Sequence, residues 1–316
     1  MMIHNRQYRM PAEWEPQSMV QLTWPHKDTD WVPILEEITE TYVQMARELA
    51  KREHLLIVVP SRNDLPQEIL TLENTTIFEC PTNDTWARDH GFITLEGLKE
   101  KEQVLLDFQF NGWGKKFKAD KDNAINQQLW ESGILSSILS SNDSSFHSLH
   151  YQDHNDFVLE GGSIESDGKG TIYTTRCCLM APNRNQPLSL HEIENELKQR
   201  LYADRIVWLD DEPLPGDDTD GHIDTIARIT PDGTLLRLPL PDPIFDEDGS
   251  LLPATYANYL IINGAVLVPT YNQPANDKAA MQRIASVFPD REIVPIDSRS
   301  IIKQHGSIHC CTMQYY

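Results

Sequence analysis

Near its carboxyl terminus the chain reads Gly306-Ser307-Ile308-His309-Cys310-Cys311-Thr312, in a protein with only five cysteines. A thiol that follows a glycine and stands beside a histidine suits a nucleophile, because the thiolate is the reactive form and nearby polar groups control its ionisation. Which sulfur of the doublet reacts stays open. In an extended segment Ile308 and Cys310 share one face while His309 and Cys311 share the other.

Three further loops carry dense polar chemistry. Asn83-Asp84-Thr85-Trp86-Ala87-Arg88-Asp89-His90-Gly91 lies between two expected strands, Leu159-Glu160-Gly161-Gly162-Ser163 places a carboxylate at a strand end beside glycines, and Gly216 to Asp224 is strongly acidic. If the last segment is extended, His222 and Asp224 point to one side and present a ring nitrogen and a carboxylate to a common site. The twelve-residue calcium loop is absent, since position 229, where its closing glutamate would fall, is isoleucine. His222, Asp224, His309 and Cys310 are conceivable zinc ligands, but paired structural-zinc spacing is missing.

Together a thiol, a histidine and several carboxylates suit an electrophile with delocalised positive charge. Guanidinium fits: it is planar, always cationic near neutral pH and offers five N–H donors in a fixed fork, so carboxylates can grip it while its carbon stays open to a thiolate. Those carboxylates raise the pKa of an isolated thiol, whereas a bound cation lowers it, so substrate would help to ionise its own nucleophile.

These loops need a scaffold, and 316 residues suffice for one large core. No low-complexity linker divides the chain, so one domain spanning 1–316 is expected. A helix is expected near 33–52, where Ile38, Tyr42, Met45, Ala46 and Leu49 recur at helical spacing, followed by a strand His54 to Val59. The same grammar recurs from Ser189, where Glu192 completes a capping-box pattern ahead of the strand Ile206 to Leu209, and from Asp277 ahead of Ile293 to Ile296. A helix over 122–131 precedes a strand Phe157 to Leu159. Hairpins are expected over Ser163 to Thr175 and Ile223 to Leu238, turning at Asp167-Gly168 and Asp232-Gly233. Such a weak α/β repeat would close into a ring with its polar loops on the axis, an open α/β sheet being the alternative.

Composition narrows the partners. With 48 acidic against 27 basic residues the formal charge is -21, which disfavours nucleic acid and anionic membranes and favours cationic ligands. No run of eighteen apolar residues exists, Met1 to Met10 has no signal-peptide pattern, and the odd cysteine count argues against a disulfide framework, so a cytoplasmic location is expected.

Six strings in order resemble those of the agmatine deiminases and of the bacterial-type peptidyl-arginine deiminases that share their family: Met10-Pro11-Ala12-Glu13-Trp14-Glu15-Pro16 with Thr23-Trp24-Pro25, Trp86 to Asp89, Asp107 to Gly114, Leu159 to Ser163, Gly221 to Asp224, and Ile308-His309-Cys310. The resemblance covers nearly the whole chain and implies a five-bladed α/β propeller of the guanidine-modifying superfamily. It implies no metal and no organic cofactor. It assigns Cys310 as nucleophile, His222 as general acid and base, Asp89 and Asp224 as guanidinium-binding carboxylates, and Glu160 as the acid beside the histidine. Trp86 would wall the slot, with Arg88 and Gly161 as further substrate contacts. The implied reaction turns agmatine into N-carbamoylputrescine and ammonia through a covalent thiouronium, as a step toward putrescine. Free or peptidyl arginine is the alternative substrate, for which Arg88, Arg176 and Arg184 are candidate partners of an α-carboxylate; a non-catalytic guanidinium or polyamine-binding module is the remote one. The resemblance leaves a homo-oligomer open. One departure stands out: Gln304, His305, Gly306 and Ser307 replace the family's consecutive glycines and asparagine, a change expected at the far end of the pocket.

Overall fold

The computed structural model describes residues 7–99, 102–142 and 148–316. Residues 1–6, which carry most of the amino-terminal segment read for a leader, lie outside these. Among the described residues the strands form five sheets, and four of them repeat one motif: an antiparallel pair, then a helix that carries the chain to a strand parallel to the second member of the pair.

The helix Leu35–Ala50 connects Met19–Thr23 to its parallel neighbour His54–Val59. It forms because Ile38, Tyr42, Met45, Ala46 and Leu49 make one buried stripe, with Glu36 and Glu37 in the first turn and Arg47 in the last, the polarity that the helix dipole favours. Each large side chain buried on that stripe contributes about 2 kcal/mol. Ile125–Ser132 and Ile134–Asn142 precede Ser148–Val158, which runs parallel to Glu102–Gln109. Leu190–Arg200, opened by the expected capping box of Ser189 and Glu192, leads into Arg205–Leu209, parallel to Thr171–Thr175. Pro274–Val287 leads into Glu292–Asp297, parallel to Ala265–Thr270.

The carboxyl-terminal strand Thr312–Tyr315 pairs antiparallel with Met19–Thr23, so the two ends of the described chain close one sheet. That pairing brings the cysteine turn beside residues read some three hundred positions earlier. No helix among the described residues is long and apolar enough to cross a membrane.

Three expectations change. The strand expected at Phe157 to Leu159 falls at the end of Ser148–Val158, whose polar first nine residues, SLHYQDHND, lack an alternating apolar signal because they are only half-buried. The second hairpin shrinks to Arg228–Ile229 against Leu235–Leu236, although its turn forms, with Gly233 N–H donating to the Thr230 carbonyl at 2.8 Å. Ile223–Thr225 is a single 3-10 turn, not an extended strand.

Candidate active site

The turn before the last strand separates the two sulfurs. Residues 308–311 are not extended: the Cys311 amide donates to Ser307 O at 3.3 Å and the Thr312 amide to His309 O at 3.1 Å. Both cysteines belong to the buried cluster that holds Trp24, Trp31 and Tyr42, but Cys310 also lines a cleft and Cys311 does not. Burial pushes the Cys311 thiol up to about 12. The Cys310 thiol is also held well above its ordinary value, first by burial and then by the Asp224 and Asp89 carboxylates. Asn258 steadies it from the side, donating Nδ2–H to the sulfur at 3.2 Å and accepting the His309 amide at 3.0 Å.

Asp89 sits on the short helix Ala87–His90. One oxygen accepts the Gly162 amide at 3.0 Å and the other the Trp113 indole N–H at 2.9 Å. Trp113 is held there with a left-handed backbone, φ 53°, a conformation that costs energy in a bulky residue and recurs at functional sites. Asp224 accepts from His309 Nδ1 at 2.7 Å through Oδ2, which lies 3.6 Å from the Cys310 sulfur. Its Oδ1 is buried without a hydrogen-bond partner. The His222 ring is fully buried, neither nitrogen is hydrogen-bonded, and Nδ1 is 3.6 Å from Asp89.

Gly162 explains how these groups crowd together. A Cβ there would lie 2.7 Å from His222 Nδ1, 2.9 Å from Asp89 Oδ1 and 3.0 Å from Asp224 Oδ2. Only a residue without a side chain leaves that space to the three functional groups.

Glu160 is fully buried and takes Arg184 Nε at 3.0 and 3.2 Å on its two oxygens. Arg184 continues to Asp220 Oδ2 at 2.6 Å and to the Thr219 carbonyl at 2.8 Å, so all its nitrogens are engaged. Behind His222, Glu160 and Cys178 each offer a donor atom within 4.8 Å of one another. A metal ion bound there would stand against the Arg184 guanidinium that already occupies Glu160, so the set fits electrostatic support of a protonated His222 better than cation binding. The earlier zinc set fares no better, because both His309 nitrogens already face carboxylates.

The cleft encloses about 160 Å³ and is acidic as well as aromatic: Asp30, Asp84, Asp89 and Asp218 join Trp86, Trp113 and Phe117 in its wall. Asp84, pushed up by burial to about 6, accepts the Trp86 indole N–H at 3.0 Å and that of Trp31 at 3.1 Å, which holds the Trp86 ring in place. The departure at 304–307 falls on this wall. Gln304 donates to the Asp30 carbonyl at 3.0 Å, and His305 Nδ1 is 2.8 Å from the Gly216 carbonyl. Close backbone approach survives at Gly306, where a Cβ would meet the Trp86 ring at 2.0 Å.

Electrostatics divide the roles. Burial lowers the His222 pKa, yet Asp89, Cys178 and Glu160 outweigh it and raise it well above the ordinary imidazole value. Burial, reinforced by Asp224 and Glu160, raises Asp89. Asp224 is lowered despite burial, because of the hydrogen bond and charge of His309.

The structure thus brings Cys310, His222, Asp89, Asp224 and Glu160 into one cluster, with Trp86 on the wall. Arg88 and Gly161 do not join the cleft. Arg88 points away to Glu13, at 3.3 Å, and to Gln314, and Gly161 packs on the Arg88 carbonyl. Arg176 is a surface arginine paired with Asp210 at 2.6 Å. Gly162, Trp113 and Asn258 were not assigned roles from sequence. Asn258 did carry a signal, as one amide within the apolar and aromatic run Tyr256 to Ile262.

The profile of the Porphyromonas-type peptidyl-arginine deiminases matches residues 9–237 and 233–315. An agmatine deiminase of Pseudomonas putida is 28% identical over 97% of this chain and 95% of its own. Among solved structures, a cysteine-to-serine variant of C. jejuni agmatine deiminase with substrate bound superposes with a TM-score of 0.89, 31% identical, over 100% of this chain and 98% of that one. A structure from Porphyromonas gingivalis described as a candidate arginine deiminase gives a TM-score of 0.83 and 41% identity over 98% of each chain.

Proposed function

Since the chain belongs to the Porphyromonas-type peptidyl-arginine deiminase family, we propose that it deiminates agmatine, releasing ammonia and N-carbamoylputrescine. At the coarser level it is a mixed α/β hydrolase acting on the C–N bonds of guanidino groups. One observation carries the narrower reading: the cleft wall holds four aspartates and neither arginine nor lysine. A chain cationic at both ends matches such a wall, whereas free arginine would bring an α-carboxylate against four aspartates, with the nearby Lys116 ammonium already held by the Asp218 carbonyl at 2.6 Å and Asp220 at 2.8 Å.

In this reading the guanidinium lies between Asp89 and the free Oδ1 of Asp224. Its charge offsets the two carboxylates that raise the Cys310 pKa, the thiol gives up its proton to solvent as the cation binds, and the thiolate adds to the guanidinium carbon. The protonated His222 gives its proton to the departing nitrogen, which leaves as ammonia, and the remaining amidinium is bound to sulfur as a thiouronium. Neutral His222 then takes a proton from water, hydroxide adds to the same carbon, and the C–S bond breaks as the new hydroxyl passes its proton to the departing sulfur, which gives the ureido product and restores the Cys310 thiol and the protonated His222. A structural reading also follows from the repeated strand, helix and parallel-strand order: the five sheets are blades of one α/β propeller, with the polar loops on its axis.

The 41% identity to the Porphyromonas gingivalis protein makes free arginine the second candidate. Purified protein with reductant is to be assayed with agmatine, free arginine and an arginyl peptide for ureido product and ammonia. Turnover of agmatine alone is expected. A higher kcat/KM with arginine would keep the chemistry and replace the substrate.

A further inference from the structure

Glu13, in the amino-terminal Pro11-Ala12-Glu13-Trp14 string, takes no part in the reaction above, yet a buried chain joins it to the site. Its Oε1 is 2.6 Å from His309 Nε2, and His309 Nδ1 is 2.7 Å from Asp224 Oδ2. The His309 ring therefore has a carboxylate at each nitrogen. An ionised carboxylate only accepts hydrogen bonds, so both contacts are satisfied only when both ring nitrogens carry hydrogen.

We propose that Glu13 and His309 are positioning residues, Glu13 holding His309 as an imidazolium whose second hydrogen fixes Oδ2 of Asp224 and leaves Oδ1 for the guanidinium. This rests on the reading that Asp224 receives the substrate cation. The carboxylates packed around the ring support it. Arg228 Nη2, 3.3 Å from His309 Nε2, is the neighbour that opposes a hydrogen there, and Glu13, whose Oε2 pairs with Arg228, stands between the two groups and offsets that opposition. Arg88 lies 3.3 Å from Glu13 and donates to the His309 carbonyl at 3.4 Å, and Glu165 pairs with Arg228. Glu13, Glu165 and Asp224 then balance Arg88, Arg228 and His309 one for one. The direction of two ionisations agrees: burial opposes it, but Arg228, His309 and Arg88 hold Glu13 well below the ordinary carboxylate range, and His309 lowers Asp224.

The test is Glu13→Gln, which keeps the side chain's size and removes its charge. KM for agmatine should rise about tenfold while kcat changes by less than about threefold, because binding depends on Asp224 more than the later proton transfers do. The acid limb of kcat/KM should move to higher pH, since Asp224 without the imidazolium loses the largest of the contributions that lower its pKa, His222 and Arg228 remaining, and takes up its proton sooner on acidification. Glu13→Asp should restore part of both. In the unmodified protein, labelled with 15N-histidine, His309 should show hydrogen on both ring nitrogens, as its two carboxylate contacts require; this spectrum decides the matter if Glu13→Gln does not fold. A singly protonated His309 in that spectrum, or a folded Glu13→Gln protein with unchanged KM and pH profile, overturns the proposal. Inactivity of the unmodified protein toward every guanidino compound would instead sink the functional reading, and the spectrum would still report on His309.

Discussion

The two sides of the cysteine turn are built from the same kinds of residue and differ in charge balance. On one side Glu13, Glu165, Arg88, Arg228 and His309 pair within a buried network. On the other, Asp30, Asp84, Asp89 and Asp218 line a cleft in which no arginine or lysine answers them. Buried charges are tolerated where each has a partner, and removal of one partner leaves the other at a high cost. Asp89 has His222 at 3.6 Å and Asp218 has His305 at 3.8 Å, but even with both rings protonated the four carboxylates leave the wall net negative, and a cationic ligand relieves that repulsion. In the proposed reading the balanced side orients, and the unbalanced side is where a substrate supplies the missing charge.

Four experiments sharpen or break this contrast. The largest effect is expected at the turn itself: Cys310→Ser should reduce ammonia release from agmatine by about 10⁴-fold or more, whereas Cys311→Ala should stay within about threefold. Loss of activity in the second and not the first would reverse the assignment of the sulfurs. On a paired buried site, Arg184→Met strands Glu160 and should cost about 3–5 kcal/mol in urea unfolding; a protein of unchanged stability would show that Glu160 does not need its partner.

In the cleft the sign should invert. Asp218→Asn should raise KM for agmatine about tenfold, while its thermal midpoint stays equal or rises because repulsion falls; a drop in midpoint with unchanged KM would make Asp218 structural. The smallest effect is a pH dependence. With its pKa held well above 9.0 by burial, Asp224 and Asp89, Cys310 of the free enzyme stays protonated at neutral pH, so its iodoacetamide alkylation rate should keep rising as pH passes 9. A rate already level at pH 8 would mean that the thiolate forms without help from substrate.

Much of the scaffold was readable because its signals are local. The stripe at Ile38, Tyr42, Met45, Ala46 and Leu49, the Ser189 and Glu192 capping box, and the Asp-Gly turns all act within a few residues, and each element appears close to where it was expected. The strand at Ser148–Val158 was only partly readable, since a half-buried polar segment has no apolar period to detect. For the site, residue chemistry and motif order pointed to Cys310, His222, Asp89, Asp224 and Glu160, which the structure clusters.

What sequence by itself determined was this inventory: a cationic, guanidinium-like ligand class, a thiol near the end of the chain, and the helices and strands that carry the polar loops. Tertiary structure decided where each member of a local pair is placed. It turned Cys310 to the cleft and Cys311 to the core, set Gly162 rather than Gly161 among the functional groups, turned Arg88 away from the slot and brought Asn258 to the sulfur. Each choice depends on contacts between distant segments, as in Glu13 and His309, which lie 296 positions apart and 2.6 Å from one another. Periodicity and capping act over one or two turns of chain, so the direction in which a loop side chain finally points is fixed only when the strands at the two ends pair and the loops pack against each other.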